Sequence, residues 1–189
     1  MDRARLAAAL GALPLFPLPG VLLIPGTTLP LHVFEPRYRQ LVKDLLASGG
    51  PLALPQVVVN AGVDLMGAPP ILPYAGVGIL SMHHQLPDGR FNIFVQGVAR
   101  VKLGSELPDA GHPYRVASAE LLEDVPYEGD ELGRVGMEMR GLIAPLLARA
   151  GERGTTFLAG LNELDPARVP DALAPMLLTE DDARQAFLA

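Results

Sequence analysis

A chain of 189 residues has room for one domain, or for a sheet domain carrying a small helical appendage. Its formal net charge of −6 speaks against nucleic acid as the main partner, because phosphate binding needs a basic face. The absence of cysteine excludes disulfides, thiolate zinc sites and cysteine nucleophiles, and with aromatics at only 5% the core has to be built from aliphatic side chains.

Residues 1–10 hold two arginines and an alanine-rich patch but no long apolar run, so they are read as an arm or short helix and not as a signal peptide. Leu13, Leu15 and Phe16 form a short apolar strand. Pro14 and Pro17 lack amide donors, which suits a strand end or a sheet edge. Pro19-Gly20 and Pro25-Gly26 are turn pairs, and they bracket a predicted four-residue strand over 21–24. Leu29, Leu31 and Val33 then alternate with Pro30, His32 and Phe34, the period of a strand.

At Glu35-Pro36 the period changes. Proline fits the first helical position, where its missing N–H would have no partner anyway. Tyr38, Leu41, Val42, Leu45 and Leu46 follow at helical spacing until Ser48-Gly49-Gly50 ends the helix. Residues 51–59 are a further strand. Residues 60–73 read as a loop of unusual apolarity, carrying Leu65, Met66 and Ile71, which either tucks under the body or presents a greasy surface.

Residues 76–103 give the clearest hairpin. Leu86-Pro87-Asp88-Gly89-Arg90 is its turn, with proline second and glycine fourth. In its second strand Phe91, Ile93, Val95, Ala99 and Val101 share one face, and Asn92, Phe94 and Gln96 the other. Gly97 marks a bend or bulge. A last strand over 114–122 completes a set expected to curl into a small sheet or barrel.

Beyond residue 126 the texture is helical. One helix is expected over 130–150, with Pro145 kinking it or opening a second segment. A turn is expected at Gly151 to Gly154, then a short helix capped by Thr155 or Thr156. A helix opened by Asp165-Pro166 and a final helix from Thr179 complete the chain.

Several stretches carry a family resemblance. They are Leu13-Pro14-Leu15-Phe16-Pro17-Leu18, Pro25-Gly26, Leu29-Pro30-Leu31 and, most specific, Phe34-Glu35-Pro36-Arg37-Tyr38. Val77-Gly78, Pro87-Asp88-Gly89-Arg90 and Gly97-Val98-Ala99-Arg100-Val101 form a second signature. In this order they resemble the LON N-terminal domain, the substrate-recognition domain at the front of Lon-type ATP-dependent proteases, which also occurs as a free-standing protein. The resemblance covers about residues 10–125 well and the C-terminal third loosely. It implies an α+β fold: a PUA-like β pseudobarrel with one inserted helix over 10–125, followed by a C-terminal helical bundle over 126–189.

The chemistry expected is that of a binder. Lys43 and Lys102 are the only lysines and neither sits in G-x-x-x-x-G-K-[ST], so no P-loop ATPase is expected. No serine lies in G-x-S-x-G, and no Ser–Lys protease domain is expected. His83 and His84 are neighbours on a strand and point to opposite faces, so they are read as hairpin surface residues and not as metal ligands. No cofactor is expected.

The resemblance implies a non-enzymatic module that binds unfolded or client polypeptide, or adapts a client to a separate ATP-dependent protease. The alternative is a small-molecule sensor or enzyme using the barrel mouth, with His32, Glu35 or His83 as polar groups. The candidate polypeptide-binding residues are Leu65, Met66 and Ile71 in the apolar loop, with Glu35, Arg37 and Arg39 as a polar rim. No run approaches about 18 apolar residues, so no membrane span is expected and the protein is placed in the cytoplasm.

Overall fold

The hairpin read from residues 76–103 is the spine of the sheet. A computed structural model describes residues 3–59, 64, 67–107, 111–123 and 130–189. The chain divides into two units, Met1–Glu123 with Leu178–Ala189, and Asp124–Leu177.

In the first unit α1 (Arg3–Ala9) and β1 (Leu13–Pro14) are followed by β2 (Thr28–Val33), α2 (Pro36–Ser48), β3 (Leu52–Val57), β4 (Ile71–Gln85), β5 (Phe91–Glu106) and β6 (Val116–Leu122). The hydrogen-bonded order is β1-β6-β5-β4-β3, antiparallel throughout, with β2 paired to β5 off that path. Parallel bridges from Leu15 to Ala53 and from Leu18 to Gln56 join the continuation of β1 to β3. The sheet therefore curls until its first and last strands meet, as the expected barrel requires.

The β4–β5 turn forms as its residues dictate. Gly89 N–H donates to the Leu86 carbonyl at 2.9 Å, with Gly89 at φ 81°, a value glycine adopts without steric cost. The strand begins earlier than the hairpin pattern suggested, because Ile71 to Pro73 belong to β4 and not to the loop.

β5 changes partners along its length. Residues 91–96 pair with β2 and residues 100–106 with β6, and Gly97 sits at the changeover. There Gly97 exchanges backbone hydrogen bonds with Gly26 and Thr27, both 2.9 Å.

The predicted strand at 21–24 is not one. Leu22, Leu23 and Ile24 are buried, but the segment crosses the sheet over glycines and does not run along an edge. A Cβ on Gly76 would overlap the Leu23 carbonyl, and one on Gly97 the Ile24 carbonyl. The missing side chains are what let backbone rest on backbone.

α2 packs by its stripe, except that Leu46 at the edge of the stripe stays exposed. Tyr38, Leu41, Val42 and Leu45 are buried in one cluster with Phe16, Val33, Leu54, Phe91, Ile93 and Val95. Each such side chain contributes about 1.5–3 kcal/mol when fully removed from water. Gly49 ends the helix at φ 60°, its N–H bonded to the Leu45 carbonyl at 2.7 Å.

The last helix, α6 (Asp181–Leu188), belongs to the sheet unit, although the sequence grouped it with the C-terminal helices. The cause is a gap in the β3–β4 ladder. Pairing runs to Pro55↔Ala75 and resumes only at Val57↔Ile71. The Gln185 carboxamide fills the gap. Its oxygen accepts from Tyr74 N–H at 2.9 Å, and its nitrogen donates to the Tyr74 carbonyl at 2.9 Å and to Gln56 Oε1 at 3.1 Å. Gln56 donates in turn to Asp181 Oδ1 at 3.0 Å. Among the described residues Gln56 is the one buried polar side chain, and this network satisfies it. Leu188 anchors the same helix at 1% exposure.

The second unit holds α3 (Glu131–Arg149), α4 (Gly151–Glu163), a 3₁₀ turn (Pro166–Arg168) and α5 (Val169–Leu177). Leu147, Leu161, Val169 and Leu173 form its core. α3 runs through Pro145 as one helix. The turn expected at Gly151 to Gly154 is the first turn of α4. Thr155 and Thr156 do not cap it: both hydroxyls donate back to the Glu152 carbonyl at 2.9 Å. Asp165 does act as a cap, accepting from Ala167 N–H at 3.0 Å.

Candidate functional site

The junction from β2 into α2 shapes an apolar hollow in the barrel unit. β2 ends at Val33, Phe34 and Glu35 continue in extended form, and Pro36 opens the helix. Opposite them runs the segment 16–19, held to β3 by bonds from Phe16 N–H to the Ala53 carbonyl (2.8 Å) and from Leu18 N–H to the Pro55 carbonyl (3.1 Å). Between these two walls lies a groove of about 260 Å³. It is lined by residues 16–19 and 32–35, with Tyr38 and Val57. Phe16, Val33, Tyr38 and Val57 are buried and form the floor. Phe34, at 56% exposure, stands on the rim.

The floor is aromatic and neutral. The rings of Phe16 and Tyr38 meet at 4.3 Å between centroids, tilted by 32°. Burial pushes the Tyr38 hydroxyl above its ordinary pKa, against the opposing pull of the Arg37 guanidinium, so the phenol stays protonated.

Glu35 occupies the N-cap position without capping through its side chain. Its carboxylate instead accepts from Arg37 Nε and Nη2, both at 2.9 Å. Arg37 also donates to the Gly67 carbonyl, and its guanidinium lies 4.6 Å from the centre of the Tyr38 ring. Both side chains of the pair are four-fifths removed from solvent. Glu35 and Arg37 thus close one end of the groove as a mutually neutralised pair.

Arg39 does not join them. Two residues along an α-helix turn the side chain by about 200°. Its guanidinium therefore lies over Gly89 at the β4–β5 turn, with Nε buried and lacking a hydrogen-bond partner. Next to it, the Asp88 carboxyl is held below its usual range, chiefly by the Arg90 backbone N–H (3.1 Å), with the Arg90 and Arg39 charges adding to the effect.

Of the apolar loop candidates, Ile71 lies in β4 opposite Val57, half-buried against a cluster of the sheet unit that includes Leu13, Leu15, Val77 and Val101. Leu65 and Met66 lie outside the described residues.

His32 is tied down. Its Nδ1 lies 2.7 Å from Asn92 Oδ1 and its Nε2 3.3 Å from Arg90 Nη1, an arrangement met by the Nδ1–H tautomer. The Phe34 ring stacks beside it, 6.2 Å between centroids. His83 and His84 are exposed on β4, opposite Ile93 and Asn92. No group of three or more His, Cys, Asp or Glu side chains placed to hold a metal occurs among the described residues.

Sequence reasoning missed the groove wall at 16–19 and the role of Phe34 as its rim. The signal was present: Phe34 and Phe94 both fall on the mixed face of their strands, where alternation calls for polar residues.

Comparison with known proteins agrees with this architecture. The profile of the ATP-dependent protease La (LON) substrate-binding domain matches residues 12–189. A Lon protease of Salinispora arenicola is 30% identical over 145 residues, 75% of this chain, and the match spans only 17% of that relative's length.

Among solved structures, the N-terminal domain of the Mycobacterium avium complex Lon protease superposes with a TM-score of 0.71 at 15% identity, over 94% of this chain and 90% of that one. A Lon N-terminal domain protein from Xanthomonas campestris gives 0.52 at 25% identity, over 86% of this chain and 96% of that one. No helix among the described residues is long and apolar enough to cross a membrane. On the profile match, and with the curled sheet and helices of its solved relatives, the chain belongs to the LON substrate-binding domain family.

Proposed function

We propose that this chain binds unfolded or partly folded polypeptide, as a recognition module that does no chemistry itself and serves a separate ATP-dependent protease. The observation that carries the reading is the groove beside the Phe34-Glu35-Pro36-Arg37-Tyr38 signature. It is lined mainly by apolar side chains, open to solvent, and its one carboxylate is already committed to Arg37.

A flexible client loses about 1–2 kcal/mol of backbone entropy for each residue it fixes. Apolar burial returns about 25 cal/mol per Å². Several anchored apolar side chains are therefore needed, and a groove floored by Phe16, Val33, Tyr38 and Val57 offers them a site. An enzyme pocket would instead call for convergent polar groups with tuned acidities. Here the polar lining residues, His32 and Glu35, are each engaged by an arginine. Glu35 and Arg37 serve as the polar end of the groove, while Arg39 reaches from α2 over the neighbouring hairpin turn and takes no part in it.

The test is capture of an aggregating, chemically unfolded client, followed by light scattering. The parent chain should suppress scattering. Phe34→Asp should lose most of that suppression with its melting midpoint unchanged. A parent chain that never suppresses scattering would remove the reading.

A further inference from the structure

The outer face of β2, β5 and β4 departs from what a solvated sheet face should carry. The register places Pro30, Phe94 and Met82 in one row across the three strands, and His32, Asn92 and His84 in the next. All six are exposed. Strands lie about 4.8 Å apart, so each row spans roughly 10 Å. A solvated antiparallel face ordinarily presents polar side chains. Here Phe94 is 40% and Met82 63% exposed, and Phe34 extends the apolar strip beyond His32.

The charge around this strip is opposite to that of the chain. The protein carries a net −6. At the hairpin turn beside the strip, two guanidinium groups, Arg39 and Arg90, flank the single carboxylate of Asp88. The rows themselves hold two imidazoles and an amide and no carboxylate. An acidic segment is repelled by most of this protein and attracted here. A basic segment finds no acidic partner in the rows.

We infer that this face docks an extended, acidic and apolar polypeptide segment. Alternate apolar side chains of the segment lie on Phe94, Met82 and Phe34, and its carboxylates meet the Arg90 guanidinium and the exposed His84 imidazole. The inference rests on the polypeptide-binding reading and adds a preference for client charge.

The experiment uses the full chain and three fluorescein-labelled peptides of equal length. In them phenylalanine and leucine alternate with aspartate, with lysine or with serine, and binding is read by anisotropy. The aspartate peptide should bind about tenfold more tightly than the lysine peptide, and the gap should shrink as salt is raised. Arg90→Glu, at an exposed turn, should abolish or reverse that ranking. The double variant Phe94→Ser and Met82→Ser should weaken all three, and if it melts early, Arg90→Glu alone decides.

Equal or tighter binding of the lysine peptide, or an unchanged ranking in Arg90→Glu, would overturn the inference. In that case persistent capture of an unfolded client leaves the broader reading standing. Failure of all three peptides together with failure of capture removes both.

Discussion

Two interruptions of the barrel wall are finished in opposite ways. Between β3 and β4 the ladder breaks, and the Gln185 carboxamide is brought in to serve the backbone of Tyr74. Between the segment 16–19 and the end of β2 the wall is left open, lined by apolar side chains. The difference follows from what each gap exposes. An unpaired backbone N–H or C=O removed from water costs about 1–3 kcal/mol, whereas an open apolar groove costs only the burial it forgoes, about 25 cal/mol per Å². A fold can leave the second kind of gap for a partner. It has to close the first kind itself.

The comparison breaks most readily at Gln185. Gln185→Leu keeps the volume but strands Tyr74 N–H, the Tyr74 carbonyl and Gln56 Oε1. We expect a loss of about 2–4 kcal/mol, read as the shift of a urea unfolding midpoint at constant slope. A loss below about 1 kcal/mol would mean that water serves the gap as well as the helix does.

A smaller effect is expected at Tyr114, on the far side of α2. Its hydroxyl donates to Asp44 Oδ2 at 2.8 Å while its ring stacks on His112. Burial, with the Asp44 carboxylate adding to it, pushes the Tyr114 pKa well above the usual tyrosine range. A raised pKa in the folded state favours the protonated form. The corresponding stability is complete below pH 10 and is lost as pH rises beyond it. The melting midpoint should fall more steeply above pH 10 in the parent than in Tyr114→Phe, and identical slopes would dismiss the coupling. The smallest effect belongs to the open gap. Phe34→Asp should change stability by no more than about 0.5 kcal/mol, since the ring already stands in water.

The two gaps also differ in how readable they were. Half of the groove is built from short-range pattern: the alternation in β2, the switch at Glu35-Pro36 and the α2 stripe place Val33 and Tyr38, while Phe16 and Val57 reach the floor from distant stretches and were missed. The β4–β5 turn was legible for the same reason, because Pro87 and Gly89 declare it locally. The closed gap was not legible. Gln56 and Gln185 lie 129 positions apart, and a lone glutamine has no periodicity to betray its partner. The strand read at 21–24 failed similarly. Its buried apolar run suits a strand as well as a crossing, and the deciding feature was the glycine pair at 76 and 97 on other strands. Arg39 was grouped with Arg37 by nearness in sequence, which helix geometry converts into opposite directions.

The closure of the β3–β4 gap by α6 has a consequence for the order of events on the ribosome. The last strand of the sheet ends at Leu122 and α6 begins at Asp181. At the usual pace of roughly 5–20 residues per second, about 3 to 12 seconds separate their synthesis. Throughout that interval every described strand of the barrel has been made, while the seam at Tyr74 is still unsealed.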